Sequence, residues 1–291
     1  MLSTHHSQQK IIQREQSKVP GEKWSLNEKV TTSTIKEYGI YQGKNFREAL
    51  TDDSKRSDKK KSKNVRPRAP VRMAEVNDLT VPEQNYREHL TELHKLPPFM
   101  RICSAQNILT YCGQQHTKAQ LLLTVPTCRV PPRHSVFAKV SLNVGPGDYE
   151  WFIVPEWWHV EFRELLCQQG KTFSDSWWPD LEACAKHSIP IYRFIQKPGD
   201  LVWVQSGSIY WAQSLGWCNN IMYNVGPLTA YQYQIAIQIY EKSLMNSSLP
   251  SCPMFHITWS LARLVRVSDF RMYSQIKVNL SSTVAHANLV Y

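Results

Sequence analysis

Two features of the chain could do chemistry. One is His159-Val160-Glu161, its sole His-x-Glu; the other is the phenol of Tyr210 inside the hairpin-like stretch GDLVWVQSGSIYWAQSLGW, residues 199–217. Two histidines and one carboxylate can hold an iron on one face and leave three positions open for a cosubstrate and oxygen. In a jelly roll the first His and the carboxylate lie two residues apart on one strand, so both point inward, and the second His comes from a later strand. His159-x-Glu161 falls in VPEWWHVEFRELLCQQG, which reads as a helix opened after Pro155 and ended by Gly170. Residues two apart on a helix point in different directions, so this pair reads as a helix-surface pair. No phosphate loop, GxSxG elbow or HExxH occurs, which leaves nucleotide and hydrolase chemistry without support.

The elements that must position any site are legible from periodicity. AQLLLTVPTC (119–128) and FAKVSLNVGPGD (137–148) read as strands, the second with alternation closed by a Gly/Pro turn. After a second helix in WWPDLEACAKHS, with Pro179 in its first turn, the short strands PIYRFIQ, LVWVQ, IYWAQS and IMYNVGP are separated by the turns KPGD, SGS and GWCNN. A helix over 228–244 follows, and NYREHLTELHKLPPFMRI spaces Tyr86, Leu90, Leu93 and Leu96 on one helical face. The expected fold is mainly β with flanking α: a double-stranded β-helix, or jelly roll, with helical additions.

The 42% hydrophobic content is enough for a real core, and nine of the ten Trp lie after Tyr149. Residues 1–23 read as a disordered tail, 24–50 as a segment packing on the main domain, 51–75 as a basic disordered linker, 76–280 as the domain and 281–291 as a second tail. Nine Lys/Arg face three Asp between residues 51 and 72, so one segment carries most of the net charge of +10. Its residues Lys59, Lys60, Lys61, Lys63, Arg66 and Arg68 suit nuclear import or a phosphate-backbone contact; no aromatics are interleaved to stack bases. No apolar run is long enough to span a bilayer and no secretory signal opens the chain, so a soluble, intracellular protein is expected. The seven Cys form no CxxC pair and are expected to be reduced and mostly packed.

The strings KVSLNVGPGDYEWFIVPE, SWWPDLE, IPIYRFIQKPGDLVWVQSGSIYWAQSLGWCNNIMYNVGPLTAYQY and HITWSLAR resemble the cupin-like JmjC domain of histone lysine-27 demethylases of the UTX/UTY type. The likeness runs from Trp24 to Asp269. It implies a nuclear protein of histone tails or chromatin complexes, using Fe(II), 2-oxoglutarate and oxygen to hydroxylate an N-methyl group. The family's metal is held by a His-x-Glu shortly before the NVGPGD turn and by a His in the strand equivalent to SGSIYW.

By that resemblance this sequence departs at every ligand. Arg133 or His134 occupies the first position with nothing acidic following, and Tyr210 occupies the second His position. A guanidinium has no lone pair to donate, and a phenolate suits ferric better than ferrous iron. The family's carboxylate-binding Lys becomes Thr124 and a hydroxyl-bearing Thr becomes Val130, while Asn220 still matches a position near the cosubstrate. Binding of Fe(II) and 2-oxoglutarate is therefore in doubt, and the chain reads as a JmjC protein with a degraded centre. An active dioxygenase with rearranged ligands, His134 and Glu150 among them, is the alternative. Trp177, Trp178, Trp203, Trp211 and Trp217 read as core, with some available for a methyl-lysine groove, and His256 as a packed, hydrogen-bonded residue. The chain stops at Tyr291, before the family's zinc-binding module would follow.

Overall fold

The computed structural model describes residues 8–16, 26–34, 36–37, 40–41, 73–75, 93, 95–112, 119–124, 129–173, 178–245 and 252–290. The basic residues Lys59 to Arg68, Trp177, Cys128 and most of the helix expected over 85–96 lie outside them.

Strands β1 (Gln8–Gln16) and β2 (Leu26–Thr34) form an antiparallel pair, and β3 (Met73–Glu75) adds to a larger sheet. Part of the expected tail and the end of the expected linker are therefore paired strand. The β-branched run Val30-Thr31-Thr32 in β2 favours extended backbone, whereas the partner is too polar to be read locally.

The central body is two antiparallel sheets. One holds β5 (Arg129–His134), β10 (Ile209–Ser214), β7 (Tyr149–Val154) and β8 (Tyr192–Gln196), in that order. The other holds β3, β4 (Gln120–Thr124), β11 (Cys218–Val225), β6 (Ala138–Pro146) and β9 (Leu201–Val204). Apart from the pairs β3–β4 and β7–β8, consecutive strands alternate between sheets, and the inner faces close on one interior. Leu122, Val202, Val204, Cys218 and Met222 come from one sheet and Val130, Tyr149, Trp151, Tyr210 and Ala212 from the other. This is the expected jelly roll. GWCNN is not wholly a turn: Cys218, Asn219 and Asn220 already belong to β11, paired on both sides.

The outer face of the four-stranded sheet carries Phe152, Val154, Ile209 and Trp211. It is covered by α1 (His159–Gln168), which follows a 3-10 turn at Glu156–Trp158, and by α2 (Leu181–Lys186). Gly170 follows α1 at φ +63°, a backbone state that favours glycine. Pro179 lies just before α2 and not in its first turn; Asp180 caps the helix, accepting from the Glu182 amide at 3.0 Å.

Three helices, α3 (Ala230–Met245), α4 (Met254–Leu264) and α5 (Phe270–Val290), enclose a separate apolar cluster with Ile108, Leu109 and Phe137. Helix α5 runs through the residues set aside as a tail from 281. His256 is exposed on α4 and its side chain makes no hydrogen bond among the described residues, so the packed role expected for it does not hold. The helix turns its apolar side, Met254, Ile257 and Leu261, to the core instead.

Candidate functional site

The question set by Tyr210 is which residues share its face. In an antiparallel pair, directly opposed residues project to the same side of the sheet. Ala212 opposes Val130 and Tyr210 opposes Arg133, so three steps along β5 match two along β10 and a bulge lies between. Tyr210 belongs to the inner cluster, its ring 5.9 Å from that of Trp151. Arg133 is therefore the β5 residue that shares the face of Tyr210.

His134 opposes Ile209, a residue of the outer cluster. Its ring stands 4.4 Å from that of His159 and 5.8 Å from Phe173. Burial, then the nearby His159, pushes its pKa down to about 4; a hydrogen bond with the Gly207 backbone partly opposes this, and the charges of Lys242 and Arg163 add to it. His159 is lowered in the same direction, chiefly by burial. His159, Arg163 and Lys242 also line a surface cleft of ≈ 510 Å³ outside the barrel. The imidazole of His134 is thus a neutral packing group on the helix side of the sheet.

Glu150 is equally unable to join a metal site. It is on β7 between the inward Tyr149 and Trp151, and it accepts a 2.6 Å charged hydrogen bond from Arg193 Nε. Its position opposes Gln213 on β10, while Ile209, the partner of His134, opposes Val154. Four residue steps and two strand spacings put His134 and Glu150 roughly 16 Å apart, too far for one ion. The rearranged pair considered from sequence is ruled out by register.

The inner face also carries polar groups that sequence reasoning passed over. On β6, Lys139 opposes the inward Val204 and Ser141 opposes the inward Met222. Lys139 Nζ sits 5.5 Å from the centroid of the Tyr210 ring, a cation–π contact. Thr124 is fully buried and donates to the Cys218 carbonyl at 3.3 Å. Asn220 is fully buried, and neither its amide oxygen nor its amide nitrogen has a partner among the described residues; the same holds for Ser141 Oγ. Gln196 is better served: it accepts from Trp151 Nε1 at 2.8 Å and donates to the Ser141 and Asp200 carbonyls at 2.9 Å each, tying the two sheets together. The alternation in FAKVSLN could have exposed Lys139 and Ser141, because it puts them with Asn143 on one face.

These residues do not fit an Fe(II) centre. A guanidinium and a phenol face each other across β5 and β10, a lysine Nζ caps the phenol, and among the described residues no three His, Cys, Asp or Glu side chains converge. Nor do Thr124 and Val130 offer a cation to a dicarboxylate. Three of the candidate tryptophans, Trp178, Trp203 and Trp211, are engaged in packing with other rings. Trp211 stacks on Phe152 at 5.5 Å and 1°, Trp178 meets Phe152 edge-on with Arg129 over its ring, and Trp203 packs against Phe99.

The sheet order and the attached helices define a JmjC-type jelly roll with a C-terminal helical domain. Residues 132–225 match the family model for the JmjC domain, described as a hydroxylase, and residues 232–287 match that for the C-terminal helical domain of lysine-specific demethylase 6/UTY. Over 214 residues, 71% of this chain, it is 41% identical to lysine-specific demethylase 6B of Homo sapiens, spanning 13% of that protein. Over 213 residues, 70% of the chain, it is 27% identical to lysine-specific demethylase jmjd-3.1 of Caenorhabditis elegans, spanning 20% of it. The chain belongs to the JmjC-domain family of the lysine-specific demethylase 6/UTY type. JmjC proteins generally depend on Fe(II) and 2-oxoglutarate. Among the described residues no helix is long and apolar enough to cross a membrane.

Proposed function

We propose that this chain works without oxidative chemistry, as a JmjC-fold binding protein for histone tails or chromatin assemblies in the nucleus. The observation that carries the reading is the pairing of Arg133 with Tyr210 on the inner face. These two stand for the family's first and second histidine ligands, and Thr124 and Val130 for its cosubstrate contacts. A divalent ion needs several lone-pair donors and negative charge, and two cationic side chains around a phenol supply one oxygen at most and no carboxylate. The likeness to lysine-specific demethylase 6B supports a histone substrate surface, and the basic run from Lys59 to Arg68 suits nuclear import or a weak nucleic-acid contact.

The test uses the purified full chain, reconstituted anaerobically with Fe(II). The expected result is no retained iron, no succinate from 2-oxoglutarate, and no demethylation of a trimethylated histone H3 lysine-27 peptide. Stoichiometric iron with succinate production overturns the proposal. Tyr210→His alone is expected to leave iron unbound, because Arg133 still occupies the neighbouring strand.

A further inference from the structure

We propose that Cys112 and Cys252 form a peroxide-oxidised thiol pair, closing to a disulfide that ties the segment ahead of the barrel to the C-terminal helices. Their Sγ atoms lie 3.2 Å apart although 140 residues separate them. A disulfide needs about 2.05 Å, so the two sulfurs have roughly 1 Å left to close.

Both thiols sit on anchored backbone. Cys112 ends a 3-10 segment, Ile108–Cys112, whose start is pinned by Asn107. That amide donates to the Arg101 and Ile102 carbonyls at 3.0 and 2.8 Å, and its oxygen accepts from the Leu109 and Gly226 amides at 3.0 and 2.8 Å. Cys252 is buried just before α4, its carbonyl accepting from Met254 N at 3.0 Å. The pair belongs to the apolar cluster that joins this segment to the helices.

The two thiols are unequal. Cys112 is half-buried and open to an oxidant, whereas Cys252 is buried; their shared hydrogen bond, which either sulfur can donate, lowers Cys112 and, with burial, pushes Cys252 up. Cys112 is therefore the nucleophile and Cys252 the resolving thiol. Elsewhere Cys184 and Cys218 are buried and pushed up to about 11, chiefly by burial, which makes them inert.

The oxidant is hydrogen peroxide. The Cys112 thiolate attacks one oxygen, the O–O bond breaks, a sulfenic acid forms and the leaving hydroxide takes up a proton as water. The Cys252 sulfur then attacks the Cys112 sulfur; the S–O bond breaks, the S–S bond forms and the second water leaves with the Cys252 proton. Two thiols lose two electrons and one peroxide is reduced to two waters. The bond closes a loop that contains β4 to β11 and α1 to α3, which restricts the unfolded chain.

The purified full chain is treated with peroxide, its remaining thiols are alkylated, and it is digested without reduction. The expected result is joint loss of the free Cys112 and Cys252 peptides and one linked species that a dithiol reductant separates, with the exposed Cys103 and Cys167 recovered alkylated. In Cys252→Ala, Cys112 is expected to be trapped as a sulfenic acid by dimedone. Cys112 linked to another cysteine, or recovered alkylated like Cys103, overturns the proposal. The map of the unsubstituted chain decides the matter should the variant fail to fold.

Discussion

The two faces of the four-stranded sheet differ in what lies against them, although neither is fully satisfied: on the outer side Trp211 Nε1 is buried without a partner among the described residues. On the outer face Phe152 and Trp211 stack at 5.5 Å, Phe162 lies 6.0 Å from Trp211, and two helices close over them. On the inner face the same strands enclose Tyr210 and Trp151, but opposite them stand a buried asparagine amide and a serine hydroxyl whose polar atoms have no partner among the described residues. Unpaired buried polar groups cost stability, so such residues mark an interior shaped by something other than packing. The outer face builds the scaffold; the inner face carries the outline of a site.

The largest effect belongs to the outer face. Trp211→Ala removes a fully buried indole and should cost about 3–5 kcal/mol in urea unfolding. A loss below about 1 kcal/mol would show that this face is not the main support of the sheet.

Next comes His134. With its folded pKa near 4, the unfolded chain takes up a proton from about pH 6.5 downward while the folded protein does not. Stability is therefore full above pH 6.5, falls by up to about 3 kcal/mol as pH drops toward 4, and levels off below that. The groups facing the imidazole are His159, Arg163, Lys242 and the Gly207 backbone. Unfolding midpoints across that range should lose this slope in His134→Phe; an unchanged slope would place the acid sensitivity elsewhere.

On the inner face, Gln196→Leu orphans the Trp151 indole N–H and removes the amide's bonds to the Ser141 and Asp200 carbonyls, the latter still accepting from Asn143 N at 3.1 Å, and should cost about 2 kcal/mol by denaturant titration. Asn220→Leu should do the opposite, raising stability by about 1 kcal/mol, because it removes two unpartnered polar atoms. If Asn220→Leu destabilises instead, the amide is served by a bound molecule and the contrast between the faces shrinks. Both are read from the same unfolding curves.

Much of the scaffold could be read directly from the chain. Strand alternation, the turn at Gly145-Pro146-Gly147 and the Gly170 stop are local signals, and each appears at or near its expected place. Helices α4 and α5 were missed: α4 opens after Pro253 without a side-chain cap, whereas Asp269 does cap α5, accepting from Arg271 N at 2.8 Å, a local signal that was passed over; their apolar sides are defined by contact with α3 and Ile108. The strand β1 was missed for the same kind of reason, since its partner supplies the pairing.

At the site, the residue types alone put a tyrosine in the hairpin strand and no carboxylate after Arg133 or His134 at the His-x-Glu spacing. Which of those two neighbours faces the interior was left open. Tertiary structure decided it, because the period of two along a strand is reset at a bulge, and that bulge exists only where β5 pairs with β10. The thiol contact between Cys112 and Cys252 was hidden in the same way. Chemistry that depends on residue type is written locally, whereas chemistry that depends on which side chains meet is fixed by pairings between distant parts of the chain.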